Sequence, residues 1–208
     1  MLLFTPELCA PRDPIDVLDA ALGSVDVVQV RPKPMGSRAP CAARETFDWC
    51  ARVLDLLTAR PNLDVAVLVN DRVDVAAALR ARGCDGVHLG QDDCHPRLAR
   101  EILGEDAWIG ISTHDASQVG ETWDLPVDYL GFGPIHASGT KGYEKGLGVE
   151  AAWVAAEGAG RAVFPIGGID ATNIGDLSRI GRACIGSAIL AAEDPSTAAR
   201  ELRDLLAG

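Results

Sequence analysis

Lysine is scarce in this chain: 208 residues hold three, at positions 33, 141 and 145. Lysine and arginine together number 19 against 30 acidic residues, for a formal charge of -11. Nucleic-acid binding rests on basic surface set against phosphate, so this composition argues against such a partner. An anionic ligand would have to be met by a few local cations or a metal ion rather than by the overall field. Long apolar runs are also missing. None approaches the roughly 18 residues a membrane helix needs. The opening MLLFTPELCAPRDP has no basic leader or long apolar stretch, and Leu8-Cys9 makes a poor lipoprotein signal. The six cysteines, at 9, 41, 50, 84, 94 and 184, form no CxxC pair and have no histidine-rich partner spacing. That suggests neither a zinc site nor a secreted disulfide framework, and a reducing cytoplasm fits best. No linker, low-complexity tract or charge run divides the chain, so one domain over residues 1–208 is expected.

What the chain does have is alternation. Short β-rich runs at 2–4, 25–31, 65–70, 86–90, 108–112, 129–135, 162–168 and 183–189 are separated by stretches of helical spacing, among them 42–59, 73–82, 96–103 and 197–206. Asp170 and Thr172 suit the N-cap of a short helix after the seventh run. Alternating strands and helices signal a parallel α/β architecture. Eight strands joined by crossovers of about 20 to 30 residues predict a single-domain (β/α)8 TIM barrel, with an open doubly wound sheet as the rival.

The polar and glycine residues gather where the strands end. Gln29, Arg31 and Lys33 close the second run, Asn70 and Asp71 the third, Gly90, Gln91 and Asp93 the fourth, and Ser112 the fifth. Thr140 and Lys141 follow the sixth, Gly167 and Gly168 end the seventh, and Ser187 ends the eighth. In a barrel those ends converge on one face, where active sites are built.

Each cluster has a plain reading and a chemical one. Alternation in QVRPK puts Gln29, Arg31 and Lys33 on one side of an extended segment, as either a salt-bridged strand end or an anion-binding edge. Asn70-Asp71, taken alone, reads best as a cap for the helix beginning near Val73. Asp92 or Asp93 could cap the helix near Pro96, yet acids there, beside Asp71 on the adjacent strand end, also suit a Mg2+ shared with phosphate oxygens. His88, inside an alternating strand, reads as a hydrogen-bonded barrel-interior residue; His95, His114 and His136 show no zinc spacing. Gly167-Gly168, followed by a possible helix start at 170–173, offers backbone N–H groups to a phosphate. In the segment 133–148, glycines let the backbone approach an anion, Ser138 and Thr140 offer hydroxyls, and Lys141 supplies charge.

Taken in order, Gln29-x-Arg31-x-Lys33, Val69-Asn70-Asp71, the block DGVHLGQxD over 85–93, Gly110-x-Ser112-x-His114, Gly133-Pro134 with Thr140-Lys141, Gly167-Gly168-Ile169 and Ser187-Ala188-Ile189 resemble the thiamine phosphate synthase family. The resemblance implies a (β/α)8 transferase that joins 4-amino-2-methyl-5-hydroxymethylpyrimidine diphosphate to a thiazole phosphate, releases pyrophosphate and uses Mg2+. It assigns Asp71 and Asp93 to the metal, Arg31, Lys33, Asn70 and Lys141 to the diphosphate, and Gln29 to the pyrimidine. Ser112 and Thr140 become hydroxyls on the pyrophosphate side, with Ser138 in the place of a family threonine, and Gly168 with Ser187 seats the thiazole phosphate. Arg31, Lys33, Ser112 and Lys141 are the expected catalytic set. His136 replaces a residue that is commonly aromatic or bulky, and the related thiazole tautomerases use a histidine near this strand end. A tautomerase-like isomerase is therefore the alternative, followed by a non-catalytic phosphate-binding barrel. The expected partners are small-molecule substrates, and oligomeric state is left open.

Overall fold

The computed structural model describes residues 1–32, 42–137 and 146–208. Seven parallel strands form one sheet in sequence order: β1 Leu2–Phe4, β2 Val27–Val30, β3 Ala66–Asn70, β4 Gly86–Leu89, β5 Trp108–Thr113, β6 Tyr129–Phe132 and β7 Ala162–Pro165. The helices α1 Pro14–Ala21, α2 Ala43–Thr58, α3 Val73–Leu79, α4 Pro96–Leu103, α5 Ala116–Glu121, α6 Val149–Gly158, α7 Ser187–Leu190 and α8 Pro195–Ala207 accompany them. Each strand pairs with its sequence neighbour, and the sheet curls until its edges meet through Cys184 and Ile185. Cys184 N–H donates to Pro165 O at 2.8 Å and Leu3 N–H to Ile185 O at 2.7 Å. This is the barrel architecture expected.

The eighth strand expected over 183–189 is corrected to those two bridging residues. The chain turns at Gly186 and becomes helical, with Leu190 N–H donating to Gly186 O at 3.0 Å. An apolar run of this length has no periodicity that separates a buried strand from a helix, so SAIL went to the wrong class. The helix after the seventh strand is also shorter and later than expected. It is a single 3-10 turn, Ile174–Leu177, while Asp170 accepts from Thr172 N–H at 2.8 Å in the loop before it.

Strand alternation sorts the core into two parts. Outward residues such as Val28, Val30, Val67, Val69, Val87 and Leu89 pack against the helices in one large cluster. Inward residues Val27, Leu68 and Tyr129, with Phe164 beside them, form a small apolar floor inside the barrel. Above that floor the inward positions turn polar, which leaves the C-terminal end of the barrel open to a ligand. Among the described residues no helix is long and apolar enough to cross a membrane, and Cys9, Cys50, Cys84 and Cys94 are free thiols.

Candidate active site

A cavity of about 290 Å3 opens above the apolar floor, and Gln29, Arg31, Asn70, Ser112, Gly168 and Ser187 all line it. These residues come from five separate chain segments, so the barrel gathers what the sequence scatters. The floor contributes Leu3, Phe164 and Ile185. An apolar base with a polar rim matches a ligand that carries a ring at one end and charge at the other.

Arg31 sits one residue past β2, held there by its N–H donating to Phe4 O at 2.8 Å. The side chain is 7% exposed, so burial lowers its pKa from the usual guanidinium range while the carboxylates of Asp71 and Glu7 oppose that shift. A buried cation is costly unless anions face it, and these two carboxylates offset part of that cost. Gln29, also buried, donates through Nε2 to Asn70 Oδ1 at 2.8 Å. Asn70 is therefore engaged across the strands rather than capping α3, whose first turn follows Arg72 with no side-chain cap. The capping reading of Asn70-Asp71 is overturned. Asp71 takes a left-handed conformation at φ 65, and its N–H donates to His88 O at 2.8 Å.

Asp93 does not cap α4 either; that place belongs to His95, whose Nδ1 accepts from Arg97 N–H at 3.2 Å. Asp93 instead closes the turn after β4, with Oδ2 accepting from Gly90 N–H at 2.7 Å. Asp71 and Asp93 are thus both tied to the backbone at the end of β4, through His88 and Gly90, just outside the residues that line the cavity. No group of three or more His, Cys, Asp or Glu side chains is placed to hold a metal ion among the described residues. Two hard carboxylate donors, with Asp93 Oδ1 carrying no hydrogen bond among the described residues, fit Mg2+, which binds through one or two carboxylates and fills its shell with water and phosphate oxygens.

Beyond β7 the backbone of residues 135–136 stays paired with 166–167: His136 N–H donates to Gly167 O at 3.1 Å. This brings His136 against Gly168, whose φ of 63 and crowded surroundings exclude a side chain. His136 Nε2 is buried with no hydrogen-bond partner among the described residues. Lys33, Ser138, Thr140, Lys141 and Lys145 lie outside the described residues.

The sequence reading placed His88 inside the barrel but missed its partner. His88 Nδ1 lies 2.9 Å from the Tyr129 hydroxyl and Nε2 2.9 Å from Ser112 Oγ. Tyr129 looked like one more apolar strand residue. Counting back by twos from Gly133 would have turned it inward.

A family model described as thiamine monophosphate synthase matches residues 1–189. Thiamine-phosphate synthase of Synechococcus sp. (strain CC9605) is 40% identical over 203 residues, 94% of this chain and 54% of that protein. The chain thus spans about half the length of this relative. The enzyme of the same name from Vibrio campbellii (strain ATCC BAA-1116) is 38% identical over 193 residues, 91% of this chain and 89% of its own. Among solved structures, thiamine phosphate pyrophosphorylase from Pyrococcus furiosus superposes with a TM-score of 0.80 at 26% identity, covering 99% of this chain and 94% of that one. A match running through all seven strands, made by a chain whose barrel carries these residues at its open end, has one consequence: the chain belongs to the thiamine monophosphate synthase family.

Proposed function

We propose that this chain is a thiamine phosphate synthase, a cytoplasmic transferase that couples 4-amino-2-methyl-5-hydroxymethylpyrimidine diphosphate to thiazole phosphate and releases pyrophosphate. The observation that carries this reading is the buried guanidinium of Arg31 lining an otherwise mainly uncharged cavity. In the reaction the bond between the pyrimidine CH2 carbon and the diphosphate oxygen breaks, and its electron pair leaves with pyrophosphate. The thiazole nitrogen lone pair then forms the new carbon–nitrogen bond. No strong base is needed; charge growing on the leaving group has to be met, and the two rings have to be aligned.

Arg31 meets that charge directly. Gln29, oriented by Asn70, keeps Oε1 as an acceptor for the exocyclic amine of the pyrimidine. Ser112 offers a hydroxyl to the diphosphate, and Gly168 with Ser187 seats the thiazole phosphate at the opposite side. Lys33, Ser138, Thr140 and Lys141 add donors and cations on this reading. Asp71 and Asp93 would hold Mg2+, which when bound neutralises phosphate oxygens and so supports departure of the leaving group.

The direct test is to incubate the purified protein with both substrates and MgCl2. Thiamine phosphate and pyrophosphate are expected in equal amounts. His136 Nε2, without a hydrogen-bond partner among the described residues, favours a second reading, an isomerase acting on the thiazole. His136→Phe separates the two: a synthase keeps coupling, whereas an isomerase dependent on that imidazole loses thiazole isomerisation. Isomerisation by the wild type without pyrophosphate release would select the second reading.

Gly168→Val tests the phosphate seat. Its Cβ would stand 2.8 Å from His136 Cβ and 2.9 Å from Ala137 O, at a φ that β-branched residues avoid. KM for thiazole phosphate is expected to rise about tenfold or more, the effect of roughly 1.4 kcal/mol, with KM for the pyrimidine diphosphate little changed. An unchanged thiazole-phosphate KM would move the seat elsewhere.

A further inference from the structure

His88, Gly110 and Tyr129 stand in register on β4, β5 and β6. Because Gly110 has no side chain, the tyrosine ring lies across β5. A Cβ at that position would fall 2.1 Å from Tyr129 Cζ and 2.4 Å from its hydroxyl oxygen. The phenol thereby reaches His88 Nδ1 on the strand beyond. Gly131, the cross-strand partner of Ser112, leaves room for the imidazole in the same way, since a Cβ there would lie 3.1 Å from His88 Cε1. A chain of phenol, imidazole and hydroxyl therefore climbs from the apolar floor to the cavity.

The direction of its hydrogen bonds follows from the buried end. Tyr129 is 4% exposed and packs against Phe164, and burial pushes its pKa up, so the phenol keeps its proton. Among the described residues its hydrogen-bond partner is His88 Nδ1. Were Nδ1 to carry hydrogen, the phenol would accept it and its own proton would be left unpaired in an apolar layer, the costlier arrangement. The phenol donates to Nδ1, the ring hydrogen sits on Nε2, and Nε2–H donates to Ser112 Oγ. The serine proton is then free to donate into the cavity. In the opposite tautomer that proton would be committed to Nε2, and serine lone pairs would face an incoming anion.

We propose that Tyr129 and His88 are positioning residues that hold the imidazole as its Nε2–H tautomer and thereby fix Ser112 as a hydrogen-bond donor to an anionic phosphate oxygen. The inference rests on the reading that Ser112 meets the diphosphate. Tyr129 and His88 act through Ser112 and need not touch substrate.

Two measurements test it. Long-range proton–nitrogen NMR of the full chain labelled with 15N-histidine, with His88 assigned by loss of its signals in His88→Asn, should show Nε2 protonated and Nδ1 as the acceptor. Any other pattern overturns the proposal. Calorimetric titration with pyrophosphate in MgCl2 is then made on wild type, Tyr129→Phe, Ser112→Ala and the double variant. Each single change should weaken binding by about fivefold to tenfold, and Tyr129→Phe should add nothing once Ser112 is alanine. A merely structural tyrosine would weaken binding equally in both backgrounds, which sinks the idea, as would wild-type affinity in Tyr129→Phe or no pyrophosphate binding at all. The NMR and calorimetry need no turnover. If they succeed while the wild type makes no thiamine phosphate, the synthase reading fails and the positioning role stands.

Discussion

Asp71→Asn and Asp93→Asn are each expected to cut thiamine phosphate formation by about two to four decades, the scale of lost leaving-group electrostatics. Asparagine is the informative replacement because it preserves the structural work of both side chains. At position 71 the backbone is left-handed, and asparagine is among the few residues that adopt that conformation readily. At position 93 an asparagine carbonyl oxygen still accepts from Gly90 N–H, so the turn after β4 stays closed. Only the negative charge is removed. If these residues served the backbone alone, both variants would turn over near the wild-type rate and melt near its temperature. Rates measured against MgCl2 concentration should show the optimum moved to much higher metal in at least one variant. Near wild-type turnover in both would defeat the metal assignment.

Gly110→Ala is expected to destabilise the barrel by about 3 kcal/mol, at the upper end for overpacking a filled core. The new Cβ meets Tyr129 Cζ at 2.1 Å, and the ring cannot yield easily, being buried with its face set against Phe164 at 5.5 Å and 82°. For a chain of this size that corresponds to a fall in Tm of roughly 6 to 12 °C. Gly120→Ala in α5 is the control. Nothing lies within 4 Å of its Cβ, and alanine favours a helix, so its Tm should hold or rise slightly. Melting of Gly110→Ala within a degree or two of wild type would mean that the ring has another place to go.

Much of the fold and part of the candidate site could be read from the sequence because the two depend on different ranges of interaction. Period-two alternation is local, so the shared side of Gln29 and Arg31 was legible before any strand was paired. The convergence of strand ends followed once a barrel was expected. Asn70 was different: a cap and a cross-strand partner call for the same residue type, and only the proximity of Gln29 decides between them. Tyr129 was hidden for a related reason. Its phenol finds His88 two strands away, and that reach depends on the missing side chain of Gly110, a fact about register rather than about any window of sequence. The run 183–189 failed on length, since an apolar segment so short fits either class.

The closing seam at Cys184 and Ile185 bears on how the barrel breathes. Two residues, with few backbone hydrogen bonds, join the first strand to the last, whereas every other junction is a strand pair of three or four registered positions. Local opening starts where the fewest bonds must break together, so amide exchange should be fastest, among the barrel's interstrand amides, at Leu3, Cys184 and Ile185. What restrains the seam lies outside it. The terminal helix α8 packs on both α1 and α7, strapping the two flanks of the junction together. Ser187 begins immediately past the seam, so a ligand held by that residue would act as a rivet there. Occupancy of the cavity should therefore register as slowed exchange at the barrel's least secured junction.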